Sequence, residues 1–599
     1  MQVVIPMSGF GERFRRAGYT VPKPLIMVDG KPIIGHVIDL FPGETDFLFI
    51  CNREHLGEPR YAMAEMLSEY CPTGRVVSID PHREGPIGAI RQARKHIDPD
   101  RPMFVNYCDF NCFWDWADFK RFVAETECDG AVPAYRGFHP HSLHGNNYAF
   151  LRETGGWLND IQEKQPWTDD RLSELASSGG YYFATGGLGL DLFDEVVDRD
   201  MKVGGEFYVS LAYKVLTERQ ARIAVYELQH FMQWGTPEDL AEYLGWSSVF
   251  RRLAFDESRR ARQSGTVLVP MAGYGTRFAD EGYGVPKAMV PVSGRPMVIQ
   301  ATRDLPDAPR TRFVVRRDLE ALDDLLGRLR TSFVGASALV LDEGTDGQAS
   351  TCRLGVADIN ADEPLTIGAC DNAMIYGVSK FEALMAPGGP DVLIWVVRGH
   401  ADGRLRPCNF GWVDVDAGGR VRGVRVKEEP DDPSVDPMIV GAFSFRRADD
   451  FTRAYESLVD RDGRVNGEFY VDSLIEDAVK LGLDCRIFEI DHYLGWGTPN
   501  DLRTFEYWQS CFHKWTCHPY RLEKDQRVPT AKLRELDQRY AAIPAPRPEG
   551  VAVKTASNED LAILRWPKRA GRCLTAGHDR LANSFRATLA FVAMIIGGL

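Results

Sequence analysis

Nothing in this 599-residue sequence stays apolar for long enough to cross a bilayer, which sets aside a helical membrane protein. The final stretch, ATLAFVAMIIGGL, runs for 13 residues without a charge. It is too short for a span, and burial against a neighbour is expected there rather than membrane contact. Paired cysteines are missing as well. The 12 cysteines are scattered with no CxxC, and no signal peptide opens the chain, so a reduced, cytoplasmic protein is expected. Nor is there a surplus of positive charge: 71 Lys and Arg against 85 Asp and Glu give a formal net charge of −14. That excludes broad engagement of a nucleic-acid backbone but leaves room for a small basic pocket on an acidic surface. With 44% apolar and 26% charged residues the chain suits a packed globular protein, and its length exceeds what one core supports.

What is present is a sentence written twice. VVIPMSGFGERFRRAGYTVPKPLIMVDGKPI, from residue 3, returns at 267–297 as VLVPMAGYGTRFADEGYGVPKAMVPVSGRPM, with Arg13 and Lys23 answered by Arg277 and Lys287, 264 positions on. A period this long marks tandem domains of one fold. The expected units are 1–262, 263–520 and a C-terminal extension, 521–599. The first boundary falls in the polar stretch SRRARQSG; the extension begins with a helical pattern, continues through the Pro-rich linker AAIPAPRPEG and ends in a small appendix. Continuous apolar runs alternate with helical patterns in both halves. An α/β fold follows, with mostly parallel mixed sheets and a mainly helical C-terminal appendix.

Four constellations carry chemistry. Gly9 and Gly11, with Arg13 and Lys23, repeat as Gly273 and Gly275 with Arg277 and Lys287. Glycine lets a backbone turn tightly against phosphate oxygens, while Arg grips them in a fork and Lys adds a mobile charge. No GK[ST] follows, so this is not a P-loop. Asp109 (NYCDFN) and Asp371 (GACDN) each close an apolar strand, where a carboxylate suits magnesium. Lys164 and Lys427, in IQEKQP and RVKEEP, offer a cation for an acceptor phosphate. EFYVS places Ser210 where EFYVD places Asp472, so the second half has a second carboxylate for a metal and the first does not. For the base, Glu84 and Gly85 in the first half and Gly344 and Gln348 in the second are the candidates. The WGTPEDL and WGTPNDL segments read as helix caps behind an aromatic wall. His139, His141 and His144 lack a second ligand group, and an ordinary polar loop is expected there rather than a metal site.

Together these motifs resemble the sugar-phosphate nucleotidylyltransferase family in its broad sense, phosphocholine-type cytidylyltransferases included, over residues 1–520. The resemblance implies two Rossmann-like nucleotidyltransferase domains and magnesium-dependent transfer of NMP from an NTP to a phosphorylated sugar or alcohol. The Gly–Arg sets would hold the triphosphate, with Arg13, Lys23, Arg277 and Lys287 as the catalytic cations. Asp109, Asp371 and Asp472 would hold Mg2+, and Lys164, Glu206, Lys427 and Glu468 would meet the acceptor. CTP or UTP is placed slightly ahead of other nucleotides, and a homo-oligomer is compatible with the reading. Such enzymes often supply precursors of capsule and surface polysaccharides. The competing readings are a metal-dependent glycosyltransferase and a nucleotide-binding scaffold or sensor with one or both halves degenerate.

Overall fold

Strand Gln2–Met7 lies at the heart of the first sheet, and its run of apolar side chains is buried on both faces, as a strand covered by helices on each side demands. The computed structural model describes residues 1–145, 147–255 and 260–551. The end of the expected appendix, including ATLAFVAMIIGGL, lies outside them, as does part of SRRARQSG. Described residues fall almost wholly into one body, Met1–Glu549.

That body holds two large mixed sheets, of ten and nine strands. In the first, consecutive neighbours are Arg75–Ile79, Phe47–Asn52, Gln2–Met7, Met103–Asn106, Gly180–Phe183, Gly130–Tyr135 and Ile223–Glu227. In the second the same order runs Ala336–Leu341, Arg310–Arg316, Thr266–Pro270, Leu365–Ile367, Met438–Phe445, Val392–Val397 and Cys485–Glu489. Each lobe also has a short hairpin-like pair, Phe110–Phe113 with His230–Gln233 and Asn372–Ile375 with His492–Gly495.

The sheets are less parallel than the apolar runs suggest. Gly180–Phe183 is antiparallel to both its neighbours, and Met438–Phe445 repeats this. The reason is connectivity: a strand that returns without a helical crossover must run antiparallel. An apolar run fixes burial on two faces but carries no information about strand direction.

The lobes share a core. Each WGTP segment starts a long helix, Pro237–Phe255 and Pro499–Lys514, and these pack together with Phe250, Phe505, Phe512 and Tyr520 in contact. Thr236 and Thr498 cap the helices by accepting from the amides of Asp239 and Asp501, as expected. The Tyr507 hydroxyl donates across the junction to the Phe231 carbonyl at 2.7 Å. Here the histidine segment departs from the expected polar loop. His139 and His141 are buried, His141 meets the Tyr135 hydroxyl at 2.9 Å, and His139 packs edge-on against Tyr507.

Together with the segment before it from Arg527, the Pro-rich stretch 541–550 expected as a linker forms a strap. Arg527 pairs with Asp304 in the second lobe at 3.1 Å. At the other end Arg547 pairs with Asp118 and Glu125 in the first at 2.7 and 2.8 Å, and the Glu549 amide donates to the Gly155 carbonyl.

Glu242 sits in the junction and accepts from the Trp508 indole at 3.4 Å. Burial pushes its carboxyl up to about 8, Asp239 and Asp402 add to the effect, and the Trp508 hydrogen bond opposes it. Between its ordinary value of 4.5 and 8, the folded chain keeps a proton that the unfolded chain has released, so stability falls as pH rises through this window. Glu242→Gln should flatten that decline. Melting temperatures from pH 5 to pH 9 on the order of one unit apart test this; parallel profiles for the two proteins contradict it.

Candidate functional site

The strand Gln2–Met7 delivers the chain to a turn in which Gly11 takes φ 64°, a left-handed value that favours glycine, before the short helix Glu12–Arg16. Gly275 repeats the conformation at φ 64° before Thr276–Asp280. Around the first turn opens a cavity of about 540 Å³. Eight of the nine candidates from this half line it: Gly9, Gly11, Arg13, Lys23, Gly85, Asp109, Lys164 and Glu206. The ninth, Glu84, caps the helix Gly85–Gln92, and its carbonyl accepts from the Phe207 amide at 2.9 Å.

The centre of this site is an ion pair. Lys23 Nζ donates to Asp109 Oδ2 at 2.7 Å, with both side chains about three-quarters buried. Burial alone would lower the Lys23 ammonium, but Asp109 outweighs it and holds the group above its usual range. Trp234, wholly buried in the core rather than lining the cavity, donates its amide to the Asp109 carbonyl. The second lobe repeats all of this: Lys287 Nζ meets Asp371 Oδ2 at 2.6 Å and the Gly497 carbonyl at 3.0 Å, and the Trp496 amide donates to the Asp371 carbonyl at 2.9 Å. Arg13 and Arg277 are near enough for their charge to act on Lys23 and Lys287.

Lys164 and Lys427 adopt φ of 59° and 61°, a left-handed conformation uncommon for side chains larger than glycine. Lys164 donates to the Tyr208 hydroxyl, which donates to Glu206. In the second lobe Lys427 donates to the Asn409 carbonyl and lies over the Tyr470 ring, while Glu468 is hydrogen-bonded to Tyr470. Burial lowers Lys164, with Glu163 and Glu206 pulling it back up and Arg13 pushing it down.

The structure sets Glu163, the residue before Lys164, against Ser210. The Ser210 hydroxyl donates to Glu163 Oε2 at 2.7 Å, and Glu163 lines the cavity. In the other lobe the corresponding residues are Val426, just before Lys427, and Asp472. Each lobe thus carries one half-buried carboxylate beside its left-handed lysine, from the strand in the first and from the helix in the second. Burial raises both, Asp472 to about 6. Asp371 and Asp472 have different partners: the first faces Lys287, while the charge acting on the second is Lys427. The missed signal was the residue before each lysine, Glu in one half and Val in the other.

The base segment also realigns. The Phe207 amide donates to the Glu84 carbonyl and the Phe469 amide to the Asp346 carbonyl, each at 2.9 Å, so Gly347 is the counterpart of Gly85. A Cβ on Gly347 would lie 2.5 Å from the Phe469 backbone, and its φ is 136°. Gln348 instead begins the helix Gln348–Gly355, and Gly344 lies beside Tyr274 of the Gly-rich turn. Gly273 faces open space.

Among the described residues there is no group of three or more His, Cys, Asp or Glu able to hold a metal ion. Magnesium commonly binds through one or two carboxylates plus substrate phosphates, so the donor set at Asp109 or Asp371 fits an ion that arrives with its nucleotide. Among the described residues no helix is long and apolar enough to cross a membrane.

Residues 3–171 match the family described as MobA-like NTP transferase domain. A mannose-1-phosphate guanyltransferase of Schizosaccharomyces pombe is 30% identical over 138 residues, 22% of this chain and 37% of that protein. The beta-A enzyme of the same name from Xenopus laevis is 24% identical over 243 residues, 40% of this chain and 62% of that protein. The chain therefore spans less than two thirds of the length of these curated relatives. Among solved structures, an inositol-1-phosphate CTP transferase from T. maritima is 17% identical with a TM-score of 0.33, covering 41% of this chain and 96% of that one. The match to an NTP transferase family thus spans the first lobe's glycine turn, Lys23, Asp109 and Lys164.

Gly347→Ala should force the Phe469 backbone away and cost about 1–3 kcal/mol of stability. Urea unfolding of the purified variant measures this; a wild-type midpoint removes the close approach as an explanation for the glycine.

Proposed function

We propose that the protein transfers NMP from an NTP to a phosphorylated sugar or alcohol and releases pyrophosphate, through two tandem nucleotidyltransferase domains. The observation that carries the reading is the single cavity at which Gly9, Gly11, Arg13, Lys23, Asp109 and Lys164 converge from segments far apart in sequence. It gathers five cations, Arg13, Arg16, Lys23, Arg83 and Lys164, with four carboxylates, Glu12, Asp109, Glu163 and Glu206, a small positive excess in a chain of net charge −14.

In this reaction an acceptor phosphate oxygen attacks the α-phosphorus, the bond to the β-phosphate oxygen breaks, and the electron pair leaves with pyrophosphate. No protein nucleophile is needed, so the chain contributes alignment and charge. The glycine turn admits the triphosphate to the backbone, and Arg13 holds it in a fork. Lys23, kept protonated by Asp109, neutralises charge as it moves to the leaving group. Lys164 steers the acceptor phosphate, with its position set by Tyr208 and Glu206. Asp109 would hold Mg2+, which when bound supplies further charge neutralisation at the phosphates. Arg277, Lys287, Asp371 and Lys427 take the same roles in the second domain, where Asp472 stands in for the Glu163 carboxylate. The names of the relatives favour guanine and mannose 1-phosphate as one pair to try beside the cytidine and uridine nucleotides.

Pyrophosphate release from the four NTPs, each with a panel of phosphorylated sugars and alcohols, tests the activity. Lys23→Ala and Lys287→Ala should each remove the activity of one domain by about 10²–10³-fold in kcat, and the double variant should be inactive. Turnover of the double variant at the wild-type rate, or NDP release from a sugar donor in place of pyrophosphate, sinks the proposal.

A further inference from the structure

A second cavity, of about 550 Å³, lies apart from the glycine turns, where the end of the first lobe's long helix, the second lobe and the C-terminal strap meet. Its wall carries Arg252, Arg260, Arg303, Lys380 and Arg527 against one carboxylate, Asp304. Among the described lining residues five cations face one acid, the reverse of the chain's overall balance. Asp304 is already engaged: it pairs with Arg527 at 3.1 Å and accepts from the Met374 amide at 3.1 Å. Arg260 gives one terminal nitrogen to Asp307 and the other to the Leu305 carbonyl, and its Nε is buried with no hydrogen-bond partner among the described residues. Lys380 donates only to the Glu489 carbonyl. For Arg252 and Arg303 no hydrogen bond or ion pair to a described residue accompanies the guanidinium.

Such a cluster repels itself. Burial, and then the charge of Arg260, hold the Arg303 guanidinium below its usual range, with Asp304 acting the other way and Arg527 adding to the repulsion. Arg252, Arg303 and Lys380, gathered in a concave, partly desolvated space with no ion pair to a described residue, are balanced when an anion binds. Guanidinium groups converging from three segments match the several oxygens of a phosphate chain better than a single carboxylate. The volume is that of a small-molecule site.

We propose that this cavity is a second anion site, which takes a small polyphosphate: a free diphosphate or the diphosphate of a nucleotide. The site also touches the second lobe's machinery. The strand Asn372–Ile375 starts at the residue after Asp371, pairs with His492–Gly495, and provides the Met374 wall. The paired strand leads directly to Gly497, whose carbonyl receives Lys287. An anion drawn in against Arg303 and Lys380 therefore bears on the strand pair that sets the Lys287–Asp371 contact.

The binding claim does not rest on the proposed reaction and is tested without turnover. The full-length Lys23→Ala/Lys287→Ala protein is titrated calorimetrically with inorganic pyrophosphate, CDP and CTP. Binding is expected, and adding Arg303→Ser or, on the exposed helix end, Arg252→Ser should weaken it about ten-fold. Without ligand, Arg303→Ser should melt no lower than its parent, because it relieves repulsion, while the rise in Tm caused by the anion shrinks. Equal affinity for pyrophosphate and CDP identifies the free diphosphate; CDP binding about ten-fold more tightly identifies the nucleotide. If no probe binds below about millimolar concentration, or both Arg variants leave the isotherms unchanged, the site is not an anion site.

Discussion

A lysine ammonium held against a carboxylate at the end of a buried strand is the contact around which each lobe is arranged. The carboxylate keeps the lysine charged in a place where burial alone would discharge it. The indole-bearing WGTP segment closes over the same carboxylate through a backbone hydrogen bond, so the pair, the tryptophan and the long closing helix are one mechanical unit. Losing the pair would leave a buried charge alone, which costs far more than the pair contributes.

Those closing helices also make the two lobes a single object. Phe250 on one packs with Phe505 and Phe512 on the other, and the strap carries Arg527 in one lobe and Arg547 in the other. A chain built this way cannot shed one lobe without exposing a large aromatic surface. The basic cavity sits at this junction, which is where an anion would have the most leverage over the fit of the lobes.

The lobes differ where an acceptor would sit. Glu163 with Ser210 and Val426 with Asp472 keep one half-buried carboxylate in each lobe while moving it from strand to helix. A carboxylate approaching from a different direction presents its oxygens to a different part of the space beside each lysine.

Much of this was legible in the residues themselves. The glycine turns and the WGTP caps are local motifs whose chemistry follows from residue type and spacing, whereas the meeting of Lys23 with Asp109 and of Lys287 with Asp371 joins segments more than 80 residues apart. Strand direction, the pairing of Glu163 with Ser210, the register of Gly347 and the burial of His139 were not. Nor was the basic cavity, whose arginines come from three separate segments. Sequence alone determined which groups were available and how often the pattern repeats, because turn formation and phosphate affinity are properties of a few neighbouring residues. Only the tertiary structure decided which charges meet, because a contact between distant segments depends on how whole layers pack.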